Sequence, residues 1–219
     1  MKGASVPTRE SNGAELRSAL VDAAARLIAT EGAPALTLRR VADEVGASTM
    51  AIYTHFGGMP ELRRAVRREG FARLTKQLAE VEETDDPVAD LAVAGGAYYA
   101  NAIRNADLYR VGFMEQPLDS ADAEVGSEAF SALVRTVERC IASGRFEAAD
   151  PSEIATEFWA LGHGVITLQL AQLISPEQAL HTLEGAILKL FRAYGDEFDA
   201  TSESLQRARR RAGRVNKQL

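Results

Sequence analysis

Apolar residues recur every three to four positions along most of the chain, the spacing of helices with one buried face. Leu16, Leu20, Ala24 and Leu27 mark one such face, and Leu62, Val66, Leu74 and Leu78 a second. Phe130, Leu133, Val134, Val137 and Ile141 mark a third. No alternating β-branched run reaches strand length, so the expected fold class is all-α. The pattern predicts helices over 12–31, 37–45, 48–55, 59–81, 87–104, 107–114, 124–143, 151–173 and 176–197. Asp86-Pro87, Asp150-Pro151 and Ser175-Pro176 each set a capping oxygen before a proline at the first helical position, where its missing N–H costs nothing. Glu153 and Gln178, three residues beyond Asp150 and Ser175, predict capping boxes. Gly32, Gly144 and Gly195 read as stops. The acidic break from Glu80 to Pro87 divides the chain. The expected parts are an N-terminal arm over 1–13, a head over 14–81, a body over 82–198 and a basic tail over 199–219. Arm and tail read as poorly ordered, although Leu205–Arg214 has the composition to extend a helix.

The segment from Leu36 to Leu62 carries a sharper pattern. Thr37 is placed to cap a short helix whose inner face is Leu38, Val41, Ala42 and Val45. Gly46 follows where a tight turn needs a residue tolerant of positive φ. Ser48 can cap the next helix, in which Ile52 and Phe56 point inward. Two short helices joined by such a turn form a helix-turn-helix, which offers the start of its second helix to the DNA major groove.

The string Thr37-Leu38, Val41-Ala42, Glu44-Val45-Gly46-Ala47-Ser48, Ile52-Tyr53 and His55-Phe56 resembles the DNA-binding domain of the TetR family over about residues 12–80. The resemblance implies a three-helix N-terminal DNA-binding domain followed by a C-terminal helical bundle for ligand binding and dimerisation. It implies that Ser48, Thr49, Met50 and Ala51 read base edges, Met50 and Ala51 suiting thymine methyls. Thr37, Tyr53, Thr54 and His55 match the family's phosphate contacts, with Arg39 and Arg40 adding charge nearby and Lys2, Arg9 and Arg17 forming a basic arm. His55 equally suits a helix C-cap, and Tyr53 half-buried packing. Met59 departs from the family, which often has Lys there, so that phosphate contact is lost or passes to backbone N–H groups. Trp159 and His163-Gly164 resemble the Trp-x-x-x-His-Gly signature of one class of the family's ligand-binding domains.

Charge sharpens the division. The net charge is −6, which taken whole argues against a nucleic-acid binder. Counted by segment, however, residues 1–80 carry +3, 81–198 carry −13 and 199–219 carry +4. A basic head and tail thus flank an acidic body, and a solvated surface with chance clustering is the bland alternative. One cysteine, Cys140, excludes an intramolecular disulfide and fits a reducing compartment. With no apolar run of bilayer length and no secretory signal, the expectation is a cytoplasmic protein with no membrane contact.

In the body, the resemblance implies a pocket enclosed by helices five to seven. Candidate wall residues are Tyr98, Tyr99, Asn101, Tyr109, Phe113, Trp159 and His163, aromatic and polar groups on otherwise apolar helices. Arg104, Met114 and Phe130 fit that wall too, but equally read as solvated (Arg104) or core. The wall suits an apolar, aromatic or lipid-like effector. The helices at 151–173 and 176–197 have the apolar load for a symmetric four-helix homodimer interface, or simply for a monomer core. A dimer would set two recognition helices about 34 Å apart on a near-palindromic operator.

The expected function is therefore sequence-specific DNA-binding regulation of transcription, by a repressor released from its operator by a small-molecule effector. The alternative is an acidic helical interaction module binding a protein partner, whose head no longer binds DNA specifically. Catalysis is not expected: His163, Glu157 and His181 share no metal-ligand or triad spacing, and no phosphate loop or nucleophile elbow is present. No cofactor and no metal are expected.

Overall fold

The structure, a computed structural model, describes residues 9–114 and 119–215, with the side chains of 9–11, 114, 122–123 and 212–215 left aside. Lys2 and Lys217 lie outside the described residues, as do the side chains of Arg9, Met114 and Arg214. Among the described residues there are helices and no strands. They are α1 (Arg9–Glu31), a 3₁₀ turn (Ala33–Ala35), α2 (Leu38–Glu44), α3 (Thr49–Phe56), α4 (Met59–Ala79), α5 (Pro87–Arg104) and α6 (Ala106–Met114). After them come α7 (Ser120–Ala123), α8 (Ser127–Ala142), α9 (Pro151–Leu170), α10 (Pro176–Ala193) and α11 (Phe198–Val215).

By compactness the chain forms two units whose limits differ from the sequence divisions at 81/82 and 198/199. The first takes the described residues up to Ala72 together with Asn105–Val125; the second takes Arg73–Arg104 and Gly126 onward. The chain thus passes between units inside α4, after Arg104 and after Val125.

In the first unit α1 packs on α2 and α6, and α2 on α3. Leu20, Val41, Ile52, Leu62 and Val66 are fully buried in one core with Leu108 and Val111 of α6. A Cβ at Gly70 would stand 3.3 Å from the Leu108 carbonyl oxygen, so a glycine is what lets α4 and α6 meet so closely.

In the second unit α5 is flanked by α8, α9 and α11, and α10 covers α9 and meets α11. The core gathers Val88, Leu91, Val137, Ile154, Phe158, Ile187 and Phe191. Phe158 stacks on Phe191 with ring centroids 5.8 Å apart. The Ser175 hydroxyl and the Gln178 side chain make the expected reciprocal cap. At Asp150 the carboxylate instead accepts from the Ser152 N–H.

The tail expectation is corrected: 198–215 is a docked helix. Thr201, Ser204, Leu205, Ala208 and Arg211 fall on one face, and Thr201 and Ser204 are fully buried. That face carries little apolar surface, so polar groups do most of the holding. Ser204 donates to Asp86 at 2.9 Å, and Arg207 to the same carboxylate at 2.6 Å. Arg211 donates to Asp90 at 2.6 Å, Arg209 pairs with Glu184 at 2.5 Å, and Thr201 donates to Asp196 at 2.6 Å. Arg139 reaches Asp90 at 3.0 Å, and Arg145 grips Asp196 at 2.5 and 2.8 Å. Composition marked the tail arginines as a solvated run; the acidic start of α5 recruits Arg207 and Arg211 instead, and Glu184 of α10 meets Arg209. Other differences are local. α9 stops at Leu170, before Gln172 turns left-handed (φ 59°), and the helix expected from 124 starts only at Ser127, after Gly126 (φ 103°), while the short α7 lies before it.

Candidate functional site

The turn between α2 and α3 is built by backbone chemistry that the sequence dictates. Thr37 caps α2 by accepting from the Arg40 N–H at 3.3 Å. Gly46 (φ 65°) then lets the Ala47 N–H reach the Ala42 carbonyl at 2.9 Å and the Gly46 N–H that of Asp43 at 3.2 Å. These two bonds are a Schellman closure, which satisfies the last carbonyls of α2. Gly57 in the left-handed region ends α3. Ile52 and Phe56 anchor α3 in the core, so α3 has one fixed inner face and one face in solvent.

The residues expected from the sequence to meet DNA lie at the start of α2 and along α3. Thr37, Arg39, Ser48, Thr49, Met50, Tyr53 and Thr54 are exposed, and Ala51 and His55 half-buried. Met50 and Tyr53 stand out as large apolar side chains 65% and 49% exposed, with no core to fill. Ser48 sits at the N-cap, but its hydroxyl makes no cap bond, contrary to the expected role. Thr54 donates to the Met50 carbonyl at 2.9 Å. Arg39 pairs with Asp43 only at 3.7 Å, with both side chains largely in water, so the pair holds it weakly. Arg40, by contrast, is held in a fork by Glu31 at 2.7 and 2.6 Å. That pairing holds the Glu31 carboxyl below its usual range, through the Arg40 hydrogen bond first. Arg17 covers the Phe56 ring at 5.2 Å. Met59 opens α4 and packs against the core, so an apolar residue there has a structural use.

The body candidates fall in two places. Tyr109 and Phe113 belong to the first unit, where Phe113 lies 4.8 Å from Tyr109 and 5.0 Å from Phe71 between ring centroids. Tyr98, Tyr99, Asn101, Trp159 and His163 belong to the second. There the Trp159 indole N–H donates to the Tyr98 hydroxyl at 3.1 Å, and that hydroxyl lies 3.4 Å from His163 Nδ1. Indole can only donate, so the Tyr98 oxygen accepts and its own proton is left for Nδ1 of a neutral ring. Burial pushes the His163 pKa down, which favours that neutral ring. α9 lies against Tyr98 at Gly162, where a Cβ would meet the ring at 3.8 Å, an ordinary contact. Phe130 of α8 meets Trp159 edge-on at 6.1 Å. Tyr99 donates to Gln169 at 2.5 Å, while Asn101 is buried in α5.

Two polar residues of this wall were missed from sequence. Gln169 has no local signal, because its partner is seventy residues away. Thr167 had one: it stands four residues beyond His163, in the row Trp159–His163–Thr167.

Comparison with known proteins gives concordant results. Residues 20–66 match the model described as bacterial regulatory proteins, tetR family, and residues 91–187 that described as tetracyclin repressor-like, C-terminal domain. An uncharacterized HTH-type transcriptional regulator of Mycobacterium tuberculosis is 27% identical over 157 residues, 70% of either chain. A solved protein of unknown function from a Rhodococcus species superposes with TM-score 0.70 at 27% identity, covering 83% of this chain and 96% of its own. The TetR family transcriptional regulator PfmR from Thermus thermophilus has the same fold, with TM-score 0.67 at 17% identity, 79% of this chain and 97% of its own being covered.

Proposed function

The chain belongs to the tetR family of bacterial regulatory proteins, and from that premise we propose that it is a homodimeric repressor released from its operator by a small molecule. The observation that carries the reading is α3: anchored by Ile52 and Phe56, it offers Thr49, Met50 and Tyr53 to solvent with no structural duty. Ser48, Thr49, Met50 and Ala51 are assigned to base edges. Thr37, Arg39, Tyr53, Thr54 and His55 are assigned to phosphates, where they set register.

Leu168 of α9 and Leu173 and Leu180 beside and on α10 support the dimer, being 42%, 72% and 48% exposed. Ala160 and Gly164 on the same side of α9 are exposed as well, small enough to let a second copy approach. Two-fold pairing through these helices matches the two-fold symmetry of a near-palindromic operator. The cluster of Tyr98, Trp159 and His163 is assigned to the effector. An effector acts only through different affinities for the DNA-competent and incompetent conformations. Family membership gives no support to the reading of the chain as a protein-binding module with an inactive head.

No helix of the described residues is long and apolar enough to cross a membrane, and the protein is assigned to the cytoplasm. The test is a gel-shift titration on the DNA upstream of its own gene at two salt concentrations. Retardation beyond that of random DNA, lost on Thr49→Ala while the helical content stays, is the expected result. Equal affinity for random DNA and for every sequence recovered by selection would overturn the reading.

A further inference from the structure

Residues 91–103 of α5 and 158–170 of α9 contain no Asp, Glu, Lys or Arg, and they run past each other where Gly95 meets Phe158 and Gly162 meets Tyr98. The charged residues of α8 that flank Phe130, Glu128 and Arg135, are exposed. The nearest acid of α5, Asp90, is already neutralised by Arg139 and Arg211. The α5 and α9 stretches that form this wall are therefore polar at points but carry no charge of their own.

Two further observations bear on this wall, one showing access along α5 and the other a polar atom left unsatisfied. Although α5 is flanked by α8, α9 and α11, each of residues 92–100 keeps partial access to solvent. That stretch exceeds two helical turns, so every face of the helix is included, as for a helix beside open space. In addition, the Thr167 hydroxyl oxygen is buried with no hydrogen-bond partner. Such an orphan costs about 1–3 kcal/mol and calls for a missing partner.

We propose that the row Trp159–His163–Thr167, faced by Tyr98, recognises an uncharged effector with an apolar body and a single hydroxyl or carbonyl group, whose polar atom pairs with Thr167. This rests on the effector-controlled reading above and names the chemical class of that effector. Carboxylates, phosphates and ammonium groups are rejected, because an isolated charge has no countercharge on this wall and its desolvation is unrepaid. A hydrocarbon without the polar atom leaves Thr167 unpaired and binds less well than its alcohol.

Trp159 is the only tryptophan, so its emission reports occupancy directly in the intact protein without DNA. Hexanol, octanol and decanol are titrated beside the corresponding carboxylates and alkylammonium ions, below their micellar concentrations. Saturable change with the alcohols, at least about ten-fold tighter than with the matched ions, is expected. Thr167→Val should weaken the alcohols about ten-fold, and Thr167→Ser restore them. Ions binding as tightly as alcohols, silence of Trp159 with every probe, or alcohol binding indifferent to Thr167→Val would each overturn the proposal. Because no DNA is present, these failures are separate from failure of operator binding, which the gel shift reports.

Discussion

Arg211 near the end of α11 donates to Asp90, buried in the first turn of α5, at 2.6 Å. Asp90 also accepts from Arg139 at 3.0 Å and from the Thr84 N–H and hydroxyl, both at 2.8 Å. One carboxylate therefore ties α11, α8 and the segment before α5 to α5 itself. Asp90→Asn leaves two arginines facing a neutral group in a buried place and should cost about 3 kcal/mol. Arg211→Met removes one of several donors at a partly exposed position and should cost about 1 to 2 kcal/mol. Urea unfolding measures both. Hydrogen exchange should show α11 protection falling before the α9 core in Arg211→Met; equal loss everywhere would count against a separately held helix.

The same residue sets a pH dependence with a defined sign. Burial pushes the Asp90 carboxyl up, but the bonds from Thr84, Arg211 and Arg139 outweigh it and hold it below its ordinary 3.8. Asp86 behaves alike: burial raises it, while the Ala89 N–H, Ser204, Arg207 and Arg145 bring it below that value. A carboxyl with a depressed folded value stabilises the fold above its unfolded pKa, and that stability disappears as pH falls through the folded value. The stability gap between wild type and Asp90→Asn should be full at neutral pH and shrink below about pH 4. A gap that widens on acidification would contradict the assignment.

Gly95 is a packing requirement of α5 rather than a flexible joint. A Cβ there would lie 2.7 Å from Phe158 Cζ, and that ring is buried and stacked on Phe191. It has little freedom to retreat. Gly95→Ala should destabilise by about 1–3 kcal/mol through overpacking, despite a gain in helix propensity of about 1 kcal/mol. Thermal unfolding checks the sign; a stabilised variant would mean that α5 and α9 meet more loosely than described.

Much of this molecule was legible because local rules decided it. Thr37, Gly46 and the apolar positions of α2 and α3 fix the reading head by capping, positive φ and period alone. Ser175 with Gln178 and the stop at Gly195 did the same for α10. What stayed hidden depends on partners distant in sequence. Arg207 and Arg211 read as a solvated tail because Asp86 and Asp90 lie some 120 residues earlier. Tyr109 and Phe113 looked equivalent to Tyr98, yet α6 contributes to the α1 core, a pairing no periodicity reveals. Thr167 continues the row of Trp159 and His163, but a threonine on an apolar helix face is told from ordinary packing only once its hydroxyl is found without a partner.

Cys140 should be inert in the folded protein. It is fully buried, and burial pushes its thiol up to about 12, so almost no thiolate forms at physiological pH. A disulfide-exchange reagent in mildly alkaline buffer should label nothing in the native state and one thiol after denaturation. Rapid native labelling would show that α8 opens locally on the timescale of the reaction.

The proposed DNA-contacting face, Arg39 of α2 with Met50 and Tyr53 of α3, predicts three substitutions with separable signatures, since all three residues are exposed and their replacement should alter stability by less than about 0.5 kcal/mol. On that assignment Tyr53→Phe deletes one phosphate hydrogen bond per protomer, worth about 1 kcal/mol each, so binding of the dimer to operator and mutated operators should weaken about thirty-fold alike. Arg39→Ala removes a cation held only loosely by Asp43 from each protomer and should lower the slope of log affinity against log salt by about 1 per protomer, about 2 for the dimer. Met50→Ala withdraws an apolar contact from base edges, so it should cost about 1–3 kcal/mol at one base-pair position and relax the preference there. Binding to an operator variant series at several salt concentrations distinguishes the three. If Met50→Ala weakened every sequence equally while Tyr53→Phe changed the base preference, the division of α3 between reading and positioning would have to be reversed.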